Sequence, residues 1–120
     1  MAWDVEVTDE CKAWLEALEE GDFDAVDYAV DLLVERGPHL GFPYSSSING
    51  SRHGQMRELR VQSGGRPLRL FYAFDPRRAV ILLIGGDKTG DKRFYDRMIP
   101  IADDLYDVYL EELRREGLLP

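Results

Sequence analysis

The chain of 120 residues has the length of one domain, and a hydrophobic content of 44% is enough for one hydrophobic core. Its single cysteine excludes an intrachain disulfide bond. The longest apolar stretch, residues 79–84, is too short to cross a membrane, and the acidic first ten residues lack the apolar region of a signal peptide. We therefore expect a single-domain cytoplasmic protein, residues 1–120, with no membrane partner.

The net charge of −8 hides a basic middle of the chain. Residues 1–51 carry a net charge of −10, residues 52–93 carry +6, and residues 94–120 carry −4. Local potential, rather than the total charge, decides whether a phosphate backbone can dock. The basic segment thus favours a polyanionic ligand, while the alternative is a set of arginines that only decorate solvated strands.

The first half of the chain predicts a strand followed by two helices. Residues 2–7 alternate between apolar and polar side chains, as in a short strand. Thr8 is a suitable N-cap for an amphipathic helix that ends at Gly21. Asp22 can cap a second helix, which ends at Gly37. The short connection between the helices predicts a helical hairpin.

The second half predicts three strands and a final helix. A loop rich in Gly, Pro and Ser covers residues 38–54. The three strands that follow are residues 56–62, 68–75 and 79–85, separated by the turn sequences SGGRP and DPRR. The last helix runs from about residue 101 to about residue 116, with Pro100 in its first turn or at a kink. Together the elements predict an α+β domain with an antiparallel sheet, helices packed on one face, and the other face partly open.

Alternating side chains on the predicted strands bring charged residues to the open face. Glu58 and Arg60 share one face of their strand, and Arg69 points away from the apolar side of the next. Arg60, Arg69 and Lys88 are therefore expected to gather where they could bind a phosphate and stabilise negative charge in phosphoryl transfer. The alternative is an ion-pair ladder between Glu58 and the arginines on a solvated surface.

The segment GGDKTGDKR, residues 85–93, resembles a nucleotide-binding loop only in part. A Walker A loop needs its lysine after the second glycine, whereas Lys88 comes before it, and Asp87 would repel a triphosphate. We expect no nucleotide here, and the glycines most simply make the turn after the strand. A turn does not account for the cations Lys88, Lys92 and Arg93.

The other reactive side chains give weaker signals. His39 and His53 lie in the long loop, where a histidine is usually solvated. Cys11 falls on the core face of the first helix and is expected to pack rather than react. No metal-ligand spacing is present, so we expect neither a metal nor another cofactor.

Three segments together resemble the HigB-like, phage-derived members of the RelE/ParE superfamily of bacterial type II toxins. They are MRELRV, LRLFYAFDPRRAVILLIGGDKTG and FYDRMIPIADDLYDVYLEEL. The resemblance covers residues 53–113 well and the helical hairpin in layout only. It implies a compact, microbial-ribonuclease-like fold and an mRNA endonuclease that often works on the ribosome. It also implies a HigA-like helix-turn-helix antitoxin that holds the toxin inactive, with operator DNA contacted only through that partner.

The resemblance also implies roles for individual side chains. Arg69 matches the arginine that holds the scissile phosphate, and Lys88 falls at a basic residue that stabilises the transition state. Tyr95 falls near a tyrosine that contacts the attacking 2′-hydroxyl, and Arg60 matches a basic strand residue. Glu58 departs from RelE, which has a lysine there, and it could be a general base or only a partner of Arg60. Further RNA contacts are expected from Arg52, His53, Arg57, Arg66, Lys92 and Arg93.

The mechanism implied is attack of a ribose 2′-hydroxyl on the adjacent phosphate, which selects RNA because DNA lacks this nucleophile. A larger partner such as the ribosome would then orient the mRNA. Two alternatives remain at this point. ParE-type relatives poison gyrase without cutting RNA, and the unusual acidity of this chain is compatible with a degenerate, inactive homologue.

Overall fold

A computed structural model describes residues 2–75 and 77–119. These residues form a single sheet with helices on both faces. The strands are β1 (Asp4–Val7), β2 (Ser45–Ser47), β3 (Arg57–Ser63), β4 (Arg66–Asp75) and β5 (Ala79–Asp87). The helices are α1 (Asp9–Glu16), α2 (Glu20–Arg36) and α3 (Phe94–Arg115), and a short 3-10 turn covers Gly37–His39. The predicted α+β class is confirmed.

The sheet is mixed rather than wholly antiparallel. Its strand order is β1-β5-β4-β3-β2, in which β3, β4 and β5 form the expected antiparallel meander. The first strand, β1, pairs in parallel with β5, and β2 pairs antiparallel with β3. Strand β2 lies inside the segment predicted to be a loop, because a run of three serines gives no apolar alternation that would predict a strand.

Two hydrophobic cores lie on opposite faces of the sheet. On one face α1 and α2 pack against residues such as Leu59 and Leu70. On the other face α3 packs against Phe71 and Leu83. The expectation that all helices share one face was therefore wrong. The physical reason is visible in β5, whose sequence AVILLI is apolar on both sides and needs cover on both.

The helical hairpin starts and ends partly as predicted. The hydroxyl of Thr8 accepts the backbone N–H of Cys11 at 3.0 Å, which confirms the N-cap. However, α1 already ends at Glu16, and Gly21 lies within α2 rather than between the helices. Asp22 is consequently not a cap, and its buried carboxylate instead binds side chains of the β3–β4 hairpin.

Helix α3 begins earlier than the sequence predicts. It starts at Phe94, so Pro100 lies in its interior rather than in its first turn. Met98 and Ala102 continue the apolar stripe across this proline, and both are buried against the sheet. Burial of the stripe outweighs the one backbone hydrogen bond that Pro100 removes.

The two glycines at the end of β5 serve packing and not a turn. Gly85 and Gly86 belong to the strand, whereas the positive φ of 64° falls on Gly90. A Cβ on Gly85 would lie 2.3 Å from the ring of Trp14, and one on Gly86 would lie 2.9 Å from the ring of Phe94. These glycines let α1 and α3 approach β5 from opposite sides.

Candidate active site

Glu58 is a buried carboxylate near the start of β3, and polar side chains surround it. Its side chain accepts hydrogen bonds from Tyr95 Oη to Oε1 and from Ser46 Oγ to Oε2, each at 2.8 Å. Arg60 Nη1 lies 3.7 Å from Oε2, and Arg69 Nε lies 3.7 Å from Oε1. Since Glu58 is only 4% exposed, these four partners are what make its burial tolerable.

Strand register explains why these side chains meet. Arg60 and Arg69 are directly paired across β3 and β4, and both point to the α3 face of the sheet. Tyr95, in the first turn of α3, reaches back over β3. The Lys88 ammonium lies 5.2 Å from the centroid of the Tyr95 ring. We name this group the Glu58 cluster, and it consists of Ser46, Glu58, Arg60, Arg69, Lys88 and Tyr95.

Charge and protonation define what the cluster can do. Three cations and one carboxylate give it a formal charge of +2. Burial raises the pKa of Tyr95, and the neighbouring Glu58 carboxylate raises it further. Tyr95 is therefore a neutral hydrogen-bond donor near neutral pH and cannot act as a base. The carboxylate of Glu58 is the group in the cluster that can accept a proton.

Arg69 is buried and keeps an N–H group that makes no hydrogen bond. It is 4% exposed, and its Nη1 donates to the carbonyl of Leu68 at 3.0 Å. Its Nε makes no hydrogen bond among residues 2–75 and 77–119, although Glu58 Oε1 lies 3.7 Å away. A buried guanidinium N–H that makes no hydrogen bond is a ready donor to a phosphate oxygen.

Arg52 and His53, two expected RNA contacts, lie against the middle of α3 and not in the cluster. Arg52 binds the carboxylates of Asp104 and Asp107, and His53 Nε2 lies 2.7 Å from Asp107. These contacts fasten the end of the long loop to α3. Any contact with RNA would compete with these acids.

Arg57 points to the opposite face of the sheet from Glu58. Its Nε donates to Ser45 Oγ at 3.0 Å, and the same serine is hydrogen-bonded to the buried Tyr72 hydroxyl at 2.5 Å. Because neighbouring residues on a strand face opposite ways, Arg57 is separated from the cluster by the sheet itself.

Arg66 also binds residues outside the Glu58 cluster, and one of these residues is Asp87. Arg66 pairs with Asp22 on α2 and lies 3.4 Å from the carboxylate of Asp87. Asp87 Oδ1 accepts the backbone N–H of Thr89 at 2.9 Å and its hydroxyl at 2.6 Å, which shapes the turn after β5. Hydrogen bonds from Thr89 keep the pKa of Asp87 below its usual value. Lys92 and Arg93 are exposed on the segment that leads into α3.

Two residues of this region were not predicted from the sequence to lie at the site. Ser46 reaches Glu58 because the register of β2 places it directly opposite, and that strand could not be predicted. Phe42 lies in the same segment, with the guanidinium of Arg60 over its ring at 5.1 Å. Alternation of apolar and polar residues shows which side chains of a strand share a face. It does not show which loop of the chain will lie beside that face.

Neither a metal site nor a membrane segment emerges in the described ranges. Within residues 2–75 and 77–119, no three His, Cys, Asp or Glu side chains are arranged to hold a metal ion. The same ranges contain no helix that combines the length and the apolar composition needed to cross a bilayer.

Comparison by sequence identifies relatives of the chain. Residues 13–107 match the family described as Phage derived protein Gp49-like (DUF891). A Mycobacterium tuberculosis protein named as a toxin, HigB2, is 38% identical over 114 residues, and the match covers 93% of this chain and 56% of that protein. Another M. tuberculosis protein named as a toxin, HigB3, is 47% identical over 91 residues, covering 75% of this chain and 78% of that protein. The chain thus spans just over half the length of HigB2.

Comparison by structure identifies the fold. The toxin RelE of E. coli, in a mutant form and in the free state, superposes with a TM-score of 0.59 at 12% identity, over 82% of this chain and 96% of that one. The RelE–RelB complex of Pyrococcus horikoshii contains a chain with a TM-score of 0.55 at 15% identity, over 75% and 99% of the two chains. The toxin–antitoxin complex RelBE2 of M. tuberculosis gives 0.54 at 18% identity, over 72% and 99%. The chain therefore belongs to the Gp49-like family of phage-derived proteins, is related in sequence to HigB2 and HigB3, and shares its fold with the RelE chains, as the resemblance to HigB-like proteins predicted.

Proposed function

We propose that the protein is the toxin of a type II toxin–antitoxin pair and that it cleaves mRNA, without a metal, at the Glu58 cluster. The observation that carries the proposal is the buried Glu58 carboxylate, set between the guanidinium groups of Arg60 and Arg69 and the neutral hydroxyl of Tyr95. A potential base, a neutral donor and an excess of positive charge are the parts that phosphodiester cleavage needs.

In the proposed reaction the 2′-oxygen of a ribose attacks the adjacent phosphorus. Glu58 accepts the proton of the 2′-hydroxyl as the new P–O bond forms. The bond from phosphorus to the 5′-oxygen of the next nucleotide breaks, and that oxygen takes a proton from solvent. The products are a 2′,3′-cyclic phosphate and a 5′-hydroxyl end.

The charge of the cluster suits the transition state. Arg60, Arg69 and Lys88 carry three positive charges, and Glu58 loses its negative charge as it accepts the proton, so the positive excess grows as negative charge develops on the phosphorane. Donors fixed by the fold before the substrate arrives stabilise such charge better than water does, because they need not reorganise. Tyr95 is placed to donate to the ribose or to a phosphate oxygen once it leaves Glu58.

Access to Arg69 favours dependence on the ribosome. Arg69 is 4% exposed, whereas the Arg60 side chain is 30% exposed. RNA reaches Arg69 only if the side chains that cover it shift as the RNA binds. A ribosome that fixes the mRNA in place would offset the entropic cost of this rearrangement, and it would put the toxin in the cytoplasm.

The proposed partner is a HigA-like antitoxin with a helix-turn-helix domain, through which operator DNA is contacted. Two of the similar structures are complexes. One is the RelE–RelB complex of P. horikoshii, and the other is the RelBE2 complex of M. tuberculosis, which is described as a toxin–antitoxin complex. A short neighbouring reading frame that encodes a helix-turn-helix protein and neutralises the toxin would support this partner.

Cleavage of mRNA on translating ribosomes is the direct test. Purified protein added to a translation reaction should produce new 5′ ends in the mRNA, detected by primer extension, and Arg69→Ala should abolish them. Arg114→Ala, an exposed arginine near the end of α3, is the control and should cut like the wild type. Intact mRNA together with arrested growth would contradict the proposal, and inhibition of DNA supercoiling would then favour a gyrase poison. Harmless overexpression would indicate an inactive homologue.

A further inference from the structure

The ring of Phe42 stands in solvent beside the Glu58 cluster. It is 75% exposed, the largest exposed fraction of any large apolar side chain in residues 2–75 and 77–119. Burial of an aromatic ring is favourable, so a ring left in water by its own fold remains available to a ligand.

The turn that presents Phe42 is fixed at both ends. The backbone N–H groups of Tyr44 and Ser45 both donate to the carbonyl of Gly41 at 3.0 Å. The flanking residues Leu40 and Ser45 are buried, at 2% and 0% exposure. Because the turn is already ordered, a ligand that contacts the ring pays little conformational entropy.

Arg60 connects this ring to the candidate active site. Its guanidinium carbon lies 5.1 Å from the centroid of the Phe42 ring, while its Nη1 lies 3.7 Å from Glu58. Its backbone N–H also donates to the carbonyl of Tyr44 at 2.9 Å, which ties the turn to β3. Phe42 is thus one side chain away from the carboxylate proposed to act as the base.

We propose that Phe42 and Arg60 form a stacking subsite for the base of a nucleotide next to the cleaved bond. This inference rests on the proposed RNA cleavage and adds to it a residue that holds the substrate. Single-stranded RNA is commonly held by bases stacked on aromatic rings and on guanidinium planes. A phosphate bound at Arg60 carries its base within reach of the Phe42 ring. The positive charge of Arg60, Arg69 and Lys88 beside the ring favours nucleic acid over a protein segment as the occupant.

Binding of an oligonucleotide that cannot be cleaved tests the subsite separately from catalysis. The probe is a fluorescently labelled, single-stranded, all-2′-deoxy oligonucleotide of mixed sequence, titrated at several salt concentrations. Phe42→Ala should weaken binding on the order of tenfold, and Phe42→Trp should restore it. The dependence on salt should not change in Phe42→Ala because no charge is lost, whereas Arg60→Ala should reduce the slope by about one.

Phe23→Ala is the matched control, since Phe23 is a phenylalanine on α2 that is 41% exposed. It should bind the probe like the wild type, and thermal unfolding should show that all variants are folded. Equal binding by Phe42→Ala and Phe23→Ala, or no binding by the wild type at low salt, overturns the stacking subsite. Ribosomal cleavage by the wild type in that situation would leave the proposed function intact. Weakened binding by Phe42→Ala without any cleavage by the wild type would instead support the subsite and contradict the proposed function.

Discussion

Tyr95 and Glu58 are 37 positions apart in the chain and are joined by a hydrogen bond of 2.8 Å, which attaches the first turn of α3 to β3 near the start of that strand. Tyr95 Oη is the donor, so the bond holds one oxygen of the carboxylate in place. Any substrate that takes this hydroxyl also releases Glu58. In the proposed reaction, the pair would therefore couple the arrival of RNA to the availability of Glu58 as the base.

Replacement of Tyr95 with phenylalanine should lower the cleavage rate without lowering the stability of the fold. Tyr95→Phe keeps the ring that packs against Phe71 and Phe94 and removes only the hydroxyl. We expect the rate of mRNA cleavage to fall by about tenfold to a hundredfold, with a melting temperature close to that of the wild type. Cleavage at the wild-type rate would show that the hydroxyl has no role in the reaction.

Arg69 should tolerate a lysine in folding but not in catalysis. Lysine keeps the charge near Glu58 but lacks the planar set of donors that a guanidinium offers to a phosphate. We expect Arg69→Lys to lower kcat on ribosome-bound mRNA by about a hundredfold or more. Arg57→Lys, on the same sheet but on the opposite face, is the control and should cut normally. Equal losses in the two variants would indicate a general effect on the sheet.

Glu58→Gln should test the general base. The amide oxygen can still accept from one of the hydroxyls of Tyr95 and Ser46, and the amide NH2 can donate to the other, so the fold should persist, but the side chain cannot take a proton. The variant should therefore cleave ribosome-bound mRNA more slowly than the wild type, by about a hundredfold or more. A variant that cuts at the wild-type rate would restrict Glu58 to ion pairing with its arginines.

Stability toward acid should depend on Asp75. Burial by itself would raise the pKa of Asp75, but hydrogen bonds from Tyr109 and Arg77 outweigh it and leave the pKa below its usual value. A carboxylate with a lowered pKa in the folded state contributes stability above the unfolded pKa of about 3.9, and that contribution is lost as the pH falls.

Asp75→Asn should therefore be less stable than the wild type at neutral pH by about 1–3 kcal/mol. The difference should shrink as urea denaturation is repeated at pH values from about 6 to about 2.5. Asp27→Asn, at an exposed position on α2, should match the wild type throughout. A constant difference between Asp75→Asn and the wild type would mean that the carboxylate charge is not what stabilises this cluster.

Cys11 should resist thiol reagents while the protein is folded. Burial raises the pKa of its thiol to about 12, so almost no thiolate exists near neutral pH. Alkylation by iodoacetamide at about pH 8 should be slow in native buffer and fast in urea. Fast labelling of the native protein, followed by mass spectrometry, would contradict this assignment.

Much of the cluster could be predicted because alternation along a strand is a strict geometric rule. Glu58, Arg60 and Arg69 had to share a face once β3 and β4 were recognised. Contacts that depend on a distant segment could not be predicted in the same way. Ser46 meets Glu58 only through the pairing of β2, a strand of three residues that exists because β3 offers it an edge.

Two local rules also gave way to packing. A proline normally marks the start of a helix, but the apolar stripe of α3 continues on both sides of Pro100. Glycines normally mark a turn, but Gly85 and Gly86 lie in β5 because helices press against both faces there. In each case long-range burial decided the structure, and a local pattern does not contain that information.

The parallel pairing of β1 with β5 sets an order on folding. The four residues of β1 pair with Ala79–Leu82 of β5. The hydroxyl of Thr8 donates to the carbonyl of Leu83, 75 positions later. Contacts of such long sequence separation form slowly, because a large loop must close before they contribute. A nascent chain therefore stays incomplete until β5 has left the ribosome. For a protein proposed to attack translation, this topology delays folding of the sheet, and with it any activity, until the chain has been made as far as β5.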